Sequence, residues 1–255
     1  ATIGGVLVGA GFLLASVTTS PLGYILGFGV LAGTGIGFGY AAATPPAVKW
    51  FPPAKTGLIA GIVVSGFGLA SVYAAPLTKT LIDTWNIQTA VMVLGIAFLA
   101  IVTILAQFLK APPAGYLPAG TPAPKAAAVG DRKTDFAPRE MLGTPQFYLL
   151  WFMYACGAGA GLMVIGKLAI IAKVQAGIDL GFLLVAVLAL GNGAGRIVAG
   201  TLSDKIGRKA TLFMCFVMQA ILVLVLSQTV EGGTLAQAPI LALVSALIGA
   251  NYGAN

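Results

Sequence analysis

The chain has 255 residues, of which 58% are hydrophobic and only 8% are charged, with a net charge of +7 and a mean hydropathy of +0.98. Soluble domains carry about 25% charged residues, so this composition excludes a soluble globular class and predicts an all-α membrane protein. The long continuous apolar runs also exclude a membrane β-barrel, whose strands alternate at period two.

Eight apolar runs are long enough to cross about 30 Å of hydrocarbon, which takes about 20 helical residues. The first run has neither a basic flank nor a small-residue cleavage site, so we interpret it as a span and not as a signal peptide. The sequence begins and ends inside apolar runs, and we expect further spans beyond both ends. The predicted spans are 1–17, 22–48, 56–77, 89–108, 147–171, 180–202, 210–227 and 235–255.

A long connection divides these spans into two sets of four. Residues 110–143 are rich in Pro, Ala and Gly with interspersed charges, which predicts a flexible linker. The predicted organisation is an N-terminal half (1–110), a linker (111–143) and a C-terminal half (144–255).

The distribution of Lys and Arg predicts the orientation of the spans. Ten of the 14 lie in one set of loops and three in the opposite set, while Arg196 lies inside a span. The positive-inside rule therefore predicts that the linker is cytoplasmic. The ten are Lys49, Lys55, Lys110, Lys125, Arg132, Lys133, Arg139, Lys205, Arg208 and Lys209, and the three are Lys79, Lys167 and Lys173.

Arg196 is the unusual residue of the chain. It precedes Asp204 by eight residues, which at 1.5 Å per helical residue places it about 12 Å into the membrane. A charge at that depth costs about 3 kcal/mol unless it faces a partner or a water-filled cavity. Since we find no acidic residue in the predicted spans, we interpret Arg196 as an anion-binding group, with an ion pair to a helix outside the sequence as the alternative. Its fork of donors suits a carboxylate.

A weak internal repeat points to the same depth. Gly37-Phe-Gly-Tyr40 in the second run resembles Gly249-Ala-Asn-Tyr252 in the last. Matching tyrosines in two halves indicate a duplicated bundle with a site between the halves. Each tyrosine equally fits a packing gap among glycines. The alternating glycines of this run are not interpreted as a nucleotide loop, because no strand precedes them.

The strongest motif lies after Arg196. The residues GTLSDKIGRK match the G-x-L-S-D-K-I-G-R-K loop of the major facilitator superfamily. The resemblance implies two six-helix halves, of which this chain covers spans 3 to 10, with Tyr40 in span 4 and Tyr252 in span 10. It also implies that this charged turn is a cytoplasmic conformational latch, whereas a simple headgroup anchor is the alternative. The latch residues are Gly200, Asp204, Lys205, Gly207 and Arg208.

Neighbouring segments resemble one branch of that superfamily. Lys49-Trp-Phe-Pro52, Thr144-Pro-Gln-Phe147 and Asn192-Gly-Ala-Gly-Arg196 are similar to the oxalate/formate antiporters and monocarboxylate transporters, and the chain looks most like a bacterial homologue of the latter. The resemblance implies that Arg196 binds the substrate carboxylate. Asn192 stands where animal relatives place an Asp that takes part in proton coupling, and since an amide carries no proton, the route of the proton is open.

We therefore expect a transporter of small monocarboxylates such as L-lactate or pyruvate, coupled to a proton, working by alternating access as a monomer in a bacterial inner membrane. Two alternatives stay open: dicarboxylate exchange of the oxalate:formate kind, and a carboxylate sensor or scaffold that does not transport. With no His and no activated nucleophile, we expect no enzyme, metal or other cofactor, and no nucleic-acid partner. The predicted substrate site comprises Arg196, Asn192, Tyr40, Tyr252 and Phe38, the last covering an aliphatic tail.

Overall fold

The computed structural model describes residues 1–113, 115–119, 136–177 and 181–254, without the side chain of Phe182. All regular structure in these residues is helical and none is strand, which confirms the predicted all-α class. The middle of the predicted linker, with Lys125, Arg132 and Lys133, lies outside the described residues. The predicted span limits at residues 180 and 255 lie outside them as well.

Two helices before the linker begin at a residue whose side chain accepts a hydrogen bond from a free N–H group of the first turn. The Ser20 side chain accepts a hydrogen bond from the Gly23 N–H, and the Asn86 side chain accepts one from Thr89 at 2.7 Å, as N-cap residues do. The elements are α1 (Thr2–Ser16), α2 (Pro21–Tyr24), a π-helix (Ile25–Ala32), α3 (Gly33–Val48), a 3-10 turn (Pro53–Lys55), α4 (Thr56–Thr84) and α5 (Ile87–Ala106).

The helices after the linker are separated by short breaks. Gly207 has φ +91° and ψ 157°, a conformation open only to glycine, and it divides two long helices. The elements are α6 (Pro138–Leu142), α7 (Pro145–Gln175), α8 (Gly181–Ile206), α9 (Arg208–Ser227), a 3-10 turn (Thr234–Ala236) and α10 (Ala238–Ala254).

Six stretches in the described residues are long and apolar enough to cross a membrane, which confirms six of the eight predicted spans. Within the described residues, the apolar helices α1 and α10 have 15 and 17 residues, or about 23 and 26 Å, against a hydrocarbon thickness of about 30 Å. The predicted spans 1–17 and 235–255 correspond to these two shorter apolar helices. The six are Pro21–Val48, Pro53–Thr84, Ile87–Ala106, Pro145–Gln175, Leu183–Ile206 and Arg208–Ser227.

Two helices continue beyond their apolar runs, which corrects the predicted ends of the spans 56–77 and 180–202. α4 extends to Thr84 instead of residue 77, and Lys79 forms an ion pair there with Asp83, one turn later. α8 extends through Asp204 to Ile206. Asp83 and Asp204 thus lie on the extensions of these two helices, outside the predicted spans 56–77 and 180–202.

The chain clusters into two compact units, Ala1–Val63 with Ala70–Pro118 and Val64–Leu69 with Ala119–Asn255. In the first unit, α1 packs on α5 and on α3 through glycines. A Cβ added to Gly9 would lie 2.6 Å from that of Leu99, and one added to Gly4 would lie 2.7 Å from the Gly35 carbonyl oxygen. Small residues let membrane helices approach this closely.

The second unit is organised around the crossing of α8 and α10. Gly191 and Gly195 of α8 face α10, Gly249 and Gly253 of α10 face α8, and a Cβ on any of them would overlap backbone atoms of the other helix. Both pairs have the small-xxx-small spacing of close membrane crossings. The core beside this crossing includes Leu168, Leu184, Leu222, Leu241 and Ile248, all at most 6% exposed.

The outer faces of the long helices are apolar. Phe213 and Leu224 of α9 and Met163 of α7 are about two-thirds exposed, and the other long helices expose similar side chains. Contiguous apolar surface of this extent is unusual on a soluble monomer and is the surface that lipid covers. The protein is an integral membrane protein.

Candidate anion-binding site

Arg196 and Asn192 lie one turn apart on α8 and are joined by a hydrogen bond. The Arg196 Nε–H donates to Asn192 Oδ1 at 3.2 Å. The bond follows from the helix, since side chains at i and i+4 lie on one face. Asn192 is buried, with 8% of its surface exposed, whereas Arg196 is half-buried.

The charge of Arg196 is not neutralised by an acidic side chain of the described residues. Their ion pairs join Lys79 to Asp83 and Asp204 to Arg208, and no described carboxylate lies within 4.0 Å of the Arg196 guanidinium. With Nε engaged by Asn192, the two Nη nitrogens carry four further N–H donors. A carboxylate accepts two of these in parallel, so the arrangement suits bidentate binding of an organic anion.

Glycines on two other helices enclose the Asn192 side chain. A Cβ on Gly253 of α10 would lie 2.8 Å from Asn192 Oδ1, and one on Gly68 of α4 would lie 3.0 Å from it. Gly68 is in the α4 segment Val64–Leu69, which clusters with the second unit. Three helices therefore fix the amide that orients Arg196. Sequence reasoning missed Gly68 and Gly253, whose importance depends on which helices cross.

Tyr252 lies beside this cluster on α10 and packs against α7. A Cβ on Gly161 would overlap the Tyr252 ring, so the ring lies directly on the backbone of α7. Tyr252 is half-buried. This packing accounts for the position of the ring. Binding of substrate by the Tyr252 hydroxyl stays a prediction.

Tyr40 and Phe38 lie on α3 in the first unit, about half exposed at 48% and 52%. Residues two apart on an α-helix project about 200° apart, so these two side chains occupy different faces of α3. Their grouping with Arg196 stays a prediction, and we retain only Tyr40 in the proposal below.

The charged turn is mostly helix. Arg208 donates from Nη1 to Ser203 Oγ at 2.7 Å and from Nη2 to Asp204 Oδ1 at 3.1 Å, so the first residue of α9 binds the last turn of α8. The N-cap of α9 is Gly207, and no side chain caps that helix. Lys205 is exposed and Gly200 half-buried. The function of these residues as a latch stays a prediction.

A second buried polar contact lies between α9 and α10. Asn251 Nδ2 donates to Gln219 Oε1 at 2.5 Å, and the two residues are 7% and 6% exposed. The sequence analysis did not single out Gln219. The signal that could have identified it is that Gln219 is the one side-chain amide in the apolar run 210–227. The described residues contain no cluster of His, Cys, Asp or Glu that fits a metal ion.

Comparisons with known proteins extend this picture. The model of the Major Facilitator Superfamily matches residues 1–255. The chain is 30% identical over 252 residues to the oxalate:formate antiporter of Oxalobacter formigenes, covering 98% of this chain and 57% of the antiporter. It is 30% identical over 175 residues to the uncharacterized MFS-type transporter YhjX of Escherichia coli, covering 69% and 41%. It is 36% identical over 93 residues to mouse monocarboxylate transporter 12, covering 36% and 19%. The chain thus spans little more than half the antiporter's length.

Proposed function

Because the chain belongs to the major facilitator superfamily, we propose that it is part of a secondary active transporter of small monocarboxylates that works by alternating access. The observation that carries the proposal is Arg196, a half-buried cation inside a spanning helix with no described carboxylate beside it. A charge inside a membrane span is costly unless it faces a partner or a water-filled cavity, and binding a carboxylate both neutralises Arg196 and uses its donors.

The names of two relatives favour the same substrate class. One is an oxalate:formate antiporter and another a monocarboxylate transporter, and both names refer to carboxylates. We propose L-lactate or pyruvate as substrates, with Tyr40 and Tyr252 as hydroxyl donors from the two halves and Asn192 orienting Arg196. The residues of the charged turn around Asp204 are proposed to hold the cytoplasmic side closed.

We further propose that transport is coupled to the movement of a proton. Asn192 has no proton to exchange, so a proton must travel on another group or on the substrate carboxyl itself. Coupling predicts that uptake is faster when the proton concentration is higher outside the vesicles than inside. We place the protein in a bacterial inner membrane with the linker in the cytoplasm, on the basis of its Lys and Arg distribution.

The test is uptake of labelled L-lactate by the full-length protein in proteoliposomes, comparing wild type with Arg196→Gln. We expect uptake and substrate-protectable binding to be lost, because glutamine keeps some hydrogen bonding but no charge. The matched control is Lys173→Gln, which removes an exposed cation from the last turn of α7 and should leave uptake unchanged. Near-normal uptake by Arg196→Gln would refute the proposal.

Exchange of the oxalate:formate kind is the second candidate, favoured by the alignment to the antiporter over 98% of this chain. This candidate predicts that counterflow of labelled oxalate is faster than counterflow of labelled lactate and does not change when a pH gradient is imposed. A sensor or scaffold would bind either anion without counterflow.

A further inference from the structure

Three consecutive residues of α10 contact three different helices of the second unit. Asn251 hydrogen-bonds to Gln219 of α9, Tyr252 lies on Gly161 of α7, and Gly253 lies on Asn192 of α8. We call residues 251–253 the α10 hub. Neighbouring residues on a helix project about 100° apart, which explains how one short segment reaches three neighbours.

The contact to α9 differs in kind from the other two. Tyr252 and Gly253 pack by shape, whereas Asn251 and Gln219 form a directional bond of 2.5 Å between two buried amides. Polar side chains are expensive in an apolar interior unless paired, and their hydrogen bonds there fix a register between helices. The bond therefore sets the position of α10 along and around its own axis relative to α9.

The position of α10 in turn determines the surroundings of Arg196. Gly253 follows Asn251 by two residues, and a Cβ there would meet both the backbone carbonyl and Oδ1 of Asn192. Asn192 Oδ1 is the acceptor for Arg196 Nε. A rotation or shift of α10 would move Gly253 against Asn192 and turn the guanidinium.

We propose that Gln219 and Asn251 are positioning residues for carboxylate binding, which act through Gly253 and Asn192 to hold the Arg196 guanidinium in its binding orientation. They touch no substrate themselves. This inference rests on the proposed function, namely that Arg196 binds a small monocarboxylate. It adds that the affinity of that site is set by an amide pair on the far side of α10.

The experiment measures KM and Vmax for labelled L-lactate and labelled oxalate with the full-length protein in proteoliposomes. The variants are Gln219→Leu, Gln219→Asn and the exchange of both amides, Gln219→Asn with Asn251→Gln. The matched control is Ser245→Ala, because Ser245 is also fully buried on α10 but its hydroxyl bonds only within the helix, to the Leu241 carbonyl at 2.7 Å.

For the single variants we expect KM to rise about fivefold or more, the scale of couplings within one hydrogen-bond network, with a smaller change in Vmax. The double exchange keeps two amides of the same total length and should restore KM. In an Asn192→Ala background, where the bond to Arg196 is already absent, Gln219→Leu should raise KM no further. Ser245→Ala should keep the wild-type KM.

A purely structural function of the pair gives a different result. It would lower the amount of folded protein and Vmax with KM unchanged, or raise KM equally in the Asn192→Ala background, and either result overturns the inference. If Gln219→Leu does not fold, Gln219→Asn and the double exchange decide by the same criteria. Absence of carboxylate uptake by wild type would instead refute the proposed function and the inference together, so the two failures are distinguishable.

Discussion

Gly253 of α10 lies so close to the backbone carbonyl of Asn192 on α8 that a Cβ at Gly253 would overlap the oxygen. This close approach packs α10 against Asn192, whose side-chain amide oxygen accepts a hydrogen bond from Arg196. Packing between the two helices and binding at the guanidinium are therefore linked through a single position, and side-chain volume at that position should affect both.

Gly253→Ala should lower both stability and substrate affinity. The added methyl group would meet backbone atoms of Asn192, which cannot move aside as a flexible side chain could. Overpacking of this kind costs about 1–3 kcal/mol. Thermal unfolding of the purified protein measures the first effect and KM for lactate the second. Gly166→Ala on α7 is the control, because a Cβ there has nothing within 4 Å. Equal melting temperatures for the two variants would contradict the account of the crossing.

Asn192→Asp should make substrate affinity depend on pH. An ionised carboxylate at this position would pair with Arg196 and compete with the substrate for the guanidinium. Protonation removes that charge, so KM should be raised most at high pH and should approach the wild-type value as pH falls. The measurement is KM for lactate across a pH series with equal pH on both sides of the membrane.

The variant Asn192→Ala distinguishes the effect of an added carboxylate charge from the effect of losing the hydrogen bond that orients Arg196. It removes the hydrogen bond to Arg196 without adding a titratable group, so we expect KM to be about tenfold above the wild-type value at every pH, the equivalent of about 1.4 kcal/mol. If the ratio of variant to wild-type KM changed with pH equally in the alanine and aspartate variants, the titrating group would not be the introduced carboxylate.

Gly207→Ala should destabilise the junction of α8 and α9. The φ of +91° and ψ of 157° at Gly207 lie in a region that is essentially restricted to glycine, where other residues cost about 1–3 kcal/mol. The melting temperature of the purified protein tests this. Gly37→Ala is the control, since Gly37 lies within α3 and a Cβ there has nothing within 4 Å. A melting temperature unchanged in Gly207→Ala would show that the junction adopts another conformation.

Long apolar runs and a low content of charged residues were enough to predict the helical class, because each span must satisfy its own backbone in lipid. They placed helix ends poorly, since Lys79 and Asp83 continue α4 through an i,i+4 pair that hydropathy does not register. The turn of α8 that carries Asn192 and Arg196 was predictable from spacing alone. The glycines that enclose Asn192 were not, because Gly68 and Gly253 acquire their importance only when three helices meet.

The predicted orientation is testable within the second unit. Lys173 ends α7 and Lys205 lies in the last turn of α8, and the positive-inside assignment places them on opposite sides of the membrane. We expect Lys205→Cys to react with a membrane-impermeant maleimide in inside-out vesicles and Lys173→Cys to react in right-side-out vesicles. Both are made in a background with Cys156→Ala and Cys215→Ala, which removes the cysteines of the chain.

The unsubstituted cysteine-free protein controls for labelling of other groups, and permeabilised vesicles show that each introduced thiol is accessible. The charge asymmetry predicts the labelling pattern because positive loops are retained on the cytoplasmic side during insertion. Labelling of Lys205→Cys in right-side-out vesicles would reverse the orientation and place the turn around Asp204 outside the cell. Labelling of both variants from one side would instead contradict the crossing of the membrane by α8.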